Sequence, residues 1–101
     1  MSKTFLVLYG RKGCCLCSAL LEKLEAISLK GIEPSLELYT LDIDSDLSTT
    51  EKIKYELEVP VLFIKHSNNS KMIKLPRVSP RMNKDSLTNW LKSIVKKTLE
   101  I

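Results

Sequence analysis

Three cysteines, Cys14, Cys15 and Cys17, stand within four residues of one another, and they hold the chain's clearest capacity for covalent chemistry. Cys14 and Cys17 form a C-x-x-C pair. The pair follows the apolar run Phe5-Leu6-Val7-Leu8-Tyr9 and opens a helical pattern. The first turn of a helix has unpaired N–H groups and the positive end of the helix dipole, both of which favour a thiolate. A cysteine placed there can fall from a pKa near 8.5 to roughly 3.5–7.5. Arg11 and Lys12, just upstream, push the same way. The second thiol lies within one turn and can close a small disulfide, so one sulfur attacks and the other resolves.

Metal binding is the competing chemistry. A structural zinc takes four ligands, commonly as two separated pairs. Here the three cysteines are clustered, the single histidine is His66, and there is no second C-x-x-C. A zinc or iron–sulfur site would need cysteines from two chains, while three adjacent thiols can hold a soft ion such as copper(I). Inert core thiols fit least, because the pair begins a helix. His66 reads as a solvated loop residue.

The 101 residues suit one domain spanning 1–101, and 44% hydrophobic content is enough for a core without disulfide staples. Clustered cysteines do not make a secreted framework. The start MSKTFLVLYG has no cleavable-leader pattern, and no segment nears the ~20 apolar residues of a membrane span. The expectation is a cytoplasmic, monomeric protein without a membrane or nucleic-acid partner. The net charge of +4 suggests a solvated basic face or anionic partners.

The elements that must position the cysteines follow from periodicity. Residues 4–9 read as a buried strand, Gly10 to Gly13 as a loop, and Cys14 to Lys30 as a helix stopped by Gly31 and Pro34. Leu16, Leu20, Leu24 and Ile27 make its apolar stripe. Cys17 faces inward, and Cys15 shares a polar face with Ser18, Glu22 and Glu25. A second strand covers 35–43, and a short helix capped by Ser48 or Thr49 runs to about Leu57. Val59 to Ile64 is a nearly all-apolar, central strand. A hairpin loop at 66–70 leads to an alternating strand at 71–75. After a loop at 76–80, Asn83 caps a final helix with apolar positions Leu87, Trp90, Leu91, Ile94 and Val95, closed by Thr98. The order is βαβαββα. The strand–helix–strand units predict right-handed crossovers with parallel pairing, and the last two strands an antiparallel hairpin.

This order, with a C-x-x-C opening the first helix and a proline opening the third strand, resembles the thioredoxin fold, and within it small glutaredoxin-like proteins. The matching pieces are Leu8 to Cys17, Leu41-Asp42-Ile43-Asp44, and Tyr55 to Phe63. The resemblance implies an α/β domain with a four-stranded mixed sheet flanked by three helices. It implies Cys14 as nucleophile, Cys17 as resolving thiol, and Pro60 as a cis-proline that holds the Val59 backbone for an extended substrate. The local sequence alone favours a trans proline at a strand start. There are departures: Cys15-Leu16 replaces the usual Pro-Tyr, Glu58 stands where threonine is common, and Arg77 to Asn83 replaces a Gly-Gly turn with acidic residues.

The function so implied is thiol–disulfide oxidoreduction on protein or low-molecular-weight disulfides, with no bound cofactor or metal and glutathione as a candidate co-substrate. The alternative is a binding module of the same fold, holding a soft metal ion or a partner protein without turnover. Residues 65–84 contain Lys65, Lys71, Lys74, Arg77, Arg81 and Lys84 and no acid. Arg77 and Arg81 can therefore bind a carboxylate, or serve only as a solubilising surface. No aromatics are interleaved there to stack on bases. With Arg11, Val59 and Pro60, they complete the expected substrate-binding set.

Overall fold

The computed structural model describes residues 4–27, 29–32, 36–66, 72–79 and 81–99. The elements are β1 (Thr4–Gly10), α1 (Cys15–Ala26), a 3-10 turn (Leu29–Gly31), β2 (Leu36–Asp42), α2 (Thr49–Tyr55), β3 (Val61–His66), β4 (Met72–Lys74) and α3 (Lys84–Leu99). The sheet order is β2-β1-β3-β4. Alternation along the central strands divides the core in two. Leu6 and Leu8 of β1 and Leu62 and Ile64 of β3 face α1 and α3, meeting Leu20, Leu24, Leu87, Leu91 and Val95. Val7, Tyr9, Val61 and Phe63 face the other way, toward Ile43, just after β2, and Tyr55 of α2. Fully burying each such aliphatic side chain stabilises the fold by about 1.5–3 kcal/mol. Trp90 packs beside the first cluster, so it serves the core as its helical spacing predicts.

Capping follows the residue types. The Asn83 Oδ1 accepts the Ser86 N–H at 2.8 Å, and the Ser48 hydroxyl oxygen accepts the Glu51 N–H at 3.3 Å, each satisfying an orphan donor of a first turn. β1 pairs in parallel with β2, and β3 with β4 in antiparallel, as expected. The second strand–helix–strand unit departs from expectation: β3 runs antiparallel to β1, with Tyr9 opposite Val61. The chain leaves β2 at Asp42, opposite Gly10, and after the short α2 enters β3 at that same end of the sheet, with Val61 opposite Tyr9.

Other boundaries shift for packing reasons. Helix α1 stops at Ala26, and Ile27 takes extended angles (φ −88°, ψ 143°). A continued helix would swing Leu29 away from the Leu20–Leu24 stripe. The break instead buries Ile27, Leu29 and Ile32 together, so Gly31 ends the 3-10 turn and not the helix. Leu16, expected in the stripe, is 44% exposed. α2 ends at Tyr55, leaving Leu57 in solvent. Val59 and Pro60 precede β3, which extends instead to His66. β4 does not alternate: Met72 and Ile73 are both exposed on this edge strand. The hairpin loop expected before β4 lies, at 67–70, outside the described residues. Among the described residues, no helix is long and apolar enough to cross a membrane.

Candidate active site

β1 ends at Gly10, and Gly13 turns the chain with a positive φ of 79°, a conformation glycine adopts without a Cβ penalty. The turn sets Cys14 as the N-cap of α1, one residue before the helix proper. Its sulfur accepts the Cys17 N–H at 3.3 Å. The Cys14 carbonyl accepts from Ser18 N–H at 3.1 Å, and its own N–H donates to the Arg11 carbonyl at 3.2 Å. The first turn of α1 carries no acidic residue to oppose negative charge at this sulfur. All three thiols are free: Cys14 is half-buried, Cys15 exposed and Cys17 buried. Cys15 sits with exposed Ser18, Glu22 and Glu25, the polar face its spacing predicts.

Cys17 packs against the end of β1. A Cβ at Gly10 would lie 3.4 Å from the Cys17 Cβ and 3.7 Å from its sulfur, at ordinary van der Waals contact. The two pair members are electrostatically opposite. Burial is the largest influence on Cys14 and disfavours its thiolate. Hydrogen bonds from the Cys17 thiol and from the backbone N–H groups of Cys17 and Leu16, with the positive charge of Arg11, outweigh it and hold the thiol below its ordinary value. Burial, the hydrogen bond to Cys14 and the neighbouring Cys14 charge push the Cys17 thiol up to about 12.

Arg11 is already engaged. Its Nε and Nη2 donate to Asp44 at 3.0 and 3.1 Å, and Lys52 approaches the same carboxylate at 2.8 Å. Hydrogen bonds from Lys52 and Arg11 hold the Asp44 carboxyl below the usual range. Nothing in the local sequence signals this pairing; Asp44 reads there only as a turn residue.

The Val59–Pro60 peptide is cis. Pro60 is buried and Val59 packs beside the second core cluster. A cavity of about 270 Å³ opens beside them, lined by Pro60, Val61, Leu62, Leu75, Pro76 and Val78, with Glu58, Lys74 and Arg77 at its polar side. Lys74 and Glu58 pair across it at 2.7 Å. The structure thus brings Pro60 and Arg77 together. Arg81, exposed in the turn after Ser79, is not among the lining residues, and neither is Cys14. Strand register nevertheless places the Gly10–Cys14 loop, the Asp42–Asp46 turn and Val59–Pro60 at one end of the sheet. Among the described residues, no three His, Cys, Asp or Glu side chains converge as a metal-ligand group.

No curated protein matches the chain in sequence. Solved structures do match in fold. The malaria-parasite thioredoxin-2, described as a component of the parasite's protein secretion machinery, superposes with a TM-score of 0.62 at 16% identity, covering 91% of this chain and 84% of that one. A structural-genomics target from X. campestris, XcR50, gives 0.51 at 24% identity, with 87% and 96% covered. The germline-specific thioredoxin Deadhead of Drosophila melanogaster gives 0.54 at 14%, with 91% and 81% covered. At these identities the likeness establishes the thioredoxin fold alone. The model of the glutaredoxin-like domain (DUF836) matches residues 5–92. That span takes in the cysteine pair, the cis-proline segment and most of α3, and the chain therefore belongs to the glutaredoxin-like family.

Proposed function

We propose that this protein is a thiol–disulfide oxidoreductase of a reducing compartment, using Cys14 and Cys17. The observation that carries the reading is the opposed tuning of the two thiols: Cys14 capped by N–H donors and lowered, Cys17 buried and raised. The Cys14 thiolate attacks a substrate disulfide, forming a mixed disulfide and releasing one substrate thiolate. Cys17 loses its proton and attacks the Cys14 sulfur, releasing the second thiolate and leaving Cys14–Cys17 oxidised. Two electrons pass from the dithiol to the substrate, and an external thiol restores the reduced pair.

Mild oxidation followed by alkylation and mass mapping tests the pairing. The expected product links Cys14 to Cys17 and leaves Cys15 alkylated. Cys15 points to solvent from the first turn of α1, and a bond between neighbouring cysteines closes a strained eight-membered ring. A Cys15 bridge in most molecules would exclude this mechanism.

Glutathione is the reductant we propose, its carboxylate taken up beside Pro60 by Arg77, with Arg81 from the following turn. An arginine can offer a carboxylate two parallel hydrogen bonds. The Arg77→Ala, Arg81→Ala double variant is expected to raise the KM for glutathione by about ten-fold, the low end for hydrogen bonds to a charged partner at an exposed site, with a neutral dithiol unaffected. Equal rates of loss with both reductants would reduce these arginines to a solubilising surface.

A further inference from the structure

We propose that the outer edge of β2, with the groove beside it, docks an extended segment of a partner protein whose apolar residues alternate with basic ones. The site is separate from the cysteine pair. It lies along the half of β2 that pairs with Thr4 to Val7, away from the Gly10 end of the sheet.

Among the described residues β2 is an edge strand, paired with β1 alone. Its register with β1 runs unbroken from Leu36 to Asp42, without a bulge. The segment holds no proline, lysine or arginine. Edge strands are commonly blunted by those devices, and without them β2 presents a regular row of outward N–H and C=O groups. A strand laid against it would sit about 4.8 Å away and gain main-chain hydrogen bonds along its length.

A groove of about 680 Å³ follows this edge, lined by the consecutive residues Leu36 to Tyr39. Side chains alternate there between the two faces of the sheet: Leu36 joins the core under α1, and Tyr39 meets Phe5 on the other face. What these residues share toward the groove is therefore their backbone edge. The rest of the lining comes from the end of α1 and the turn after it, apolar Leu24, Ile27 and Leu29 with exposed Glu25. An added strand would set every second side chain over those apolar residues. Its other side chains would fall on the face of Glu37 and Tyr39. Tyr39 is 54% exposed and held edge-on by Phe5 at 5.2 Å, an aromatic ring that a lysine or arginine can cover.

The charge of this edge selects the sign of the partner. From Leu36 to Glu51 the charged residues are Glu37, Asp42, Asp44, Asp46 and Glu51, all acidic, in a chain of net charge +4. Arg11 and Lys52 balance Asp44, which leaves Glu37, with Glu25 from α1, as the acids nearest the groove. A second copy of the chain fits less well. Joined β2 to β2, it would bring two acidic edges together. Joined through β4, it would offer a three-residue strand whose Lys74 is paired with Glu58.

The test uses the full chain and short fluorescent peptides, read by anisotropy. A peptide of alternating valine and lysine is expected to bind. Its valine–glutamate counterpart should bind at least about ten-fold more weakly, the sum of a few exposed charge contacts changed in sign. A valine–lysine peptide with prolines at its backbone-bonding positions should also lose about ten-fold, for one or two missing main-chain hydrogen bonds. Glu25→Lys and Tyr39→Lys should each weaken the valine–lysine peptide about three- to five-fold, with thermal melting to check that both remain folded. Hydrogen exchange should slow within residues 36–42 when that peptide is bound. No binding, equal affinity for the lysine and glutamate peptides, insensitivity to the prolines, or protection at β4 or Pro60 in place of β2 would overturn the proposal. Self-association of the peptide-free protein that Tyr39→Lys abolishes would overturn it in favour of a second copy.

Discussion

Replacing Cys14 by serine is expected to lower the rate of disulfide reduction by at least about 10³-fold, the scale of losing an enzymatic nucleophile. Neither remaining thiol can take over. In the Cys14→Ser protein burial still disfavours the Cys17 thiolate, and the sulfur is buried against Gly10. Cys15 is exposed, but its position one residue into the helix gives it neither the N-cap hydrogen bonds nor a resolving partner one turn on. The measurement is initial rate with a protein disulfide such as insulin under excess dithiol, with wild type alongside. A Cys14→Ser protein retaining a tenth of the activity would place the nucleophile elsewhere.

In the absence of added thiol, replacing Cys17 by serine is expected to stop reduction of the substrate disulfide by the reduced enzyme after a single chemical step. The first attack needs only Cys14, so a burst of released thiol equal to the enzyme present should appear. A covalent adduct then persists because nothing intramolecular attacks the Cys14 sulfur. Intact-mass analysis checks this as a species of enzyme plus one substrate half, cleaved by added dithiol. The pH dependence is informative in the wild type. Two influences that raise Cys17, the hydrogen bond with Cys14 and the Cys14 charge, disappear once that sulfur is in a mixed disulfide, and only burial remains. The resolving thiol thus becomes easier to ionise at the moment it is needed, and resolution should accelerate as pH rises. Full multiple-turnover activity in Cys17→Ser would mean that an external thiol, and not Cys17, resolves the intermediate.

Much of this arrangement is legible along the chain. The apolar runs of β1 and β3, the stripe Leu87, Leu91 and Val95, and the caps at Ser48 and Asn83 are short-range features. Their periodicity and side-chain chemistry act within one or two turns. The helix start at the cysteine pair belongs with them. Cys14 collects N–H donors from Leu16 and Cys17, two and three residues on, and the inward face of Cys17 and outward face of Cys15 follow from a rotation of 100° per residue.

The rest depends on which distant segment arrives beside which. β3 lies antiparallel to β1 because the chain re-enters at the end of the sheet where β2 stopped, which β3's own composition does not set. Helix α1 ends at Ala26 because breaking it lets Ile27, Leu29 and Ile32 enter one core, where pattern alone continues it to Lys30. Arg77 reaches the cavity beside Pro60 while Arg81 does not line it, although the two are four residues apart in one basic stretch. Arg11 and Asp44 meet across 33 residues because β1 and β2 are parallel and in register at Gly10 and Asp42. Local pattern sets which residues turn inward and where helices begin. Burial of Cys17 to a pKa of about 12, and the partners of each charge, arise only when the sheet brings its strand ends together, because both depend on desolvation and on distances that no single segment contains.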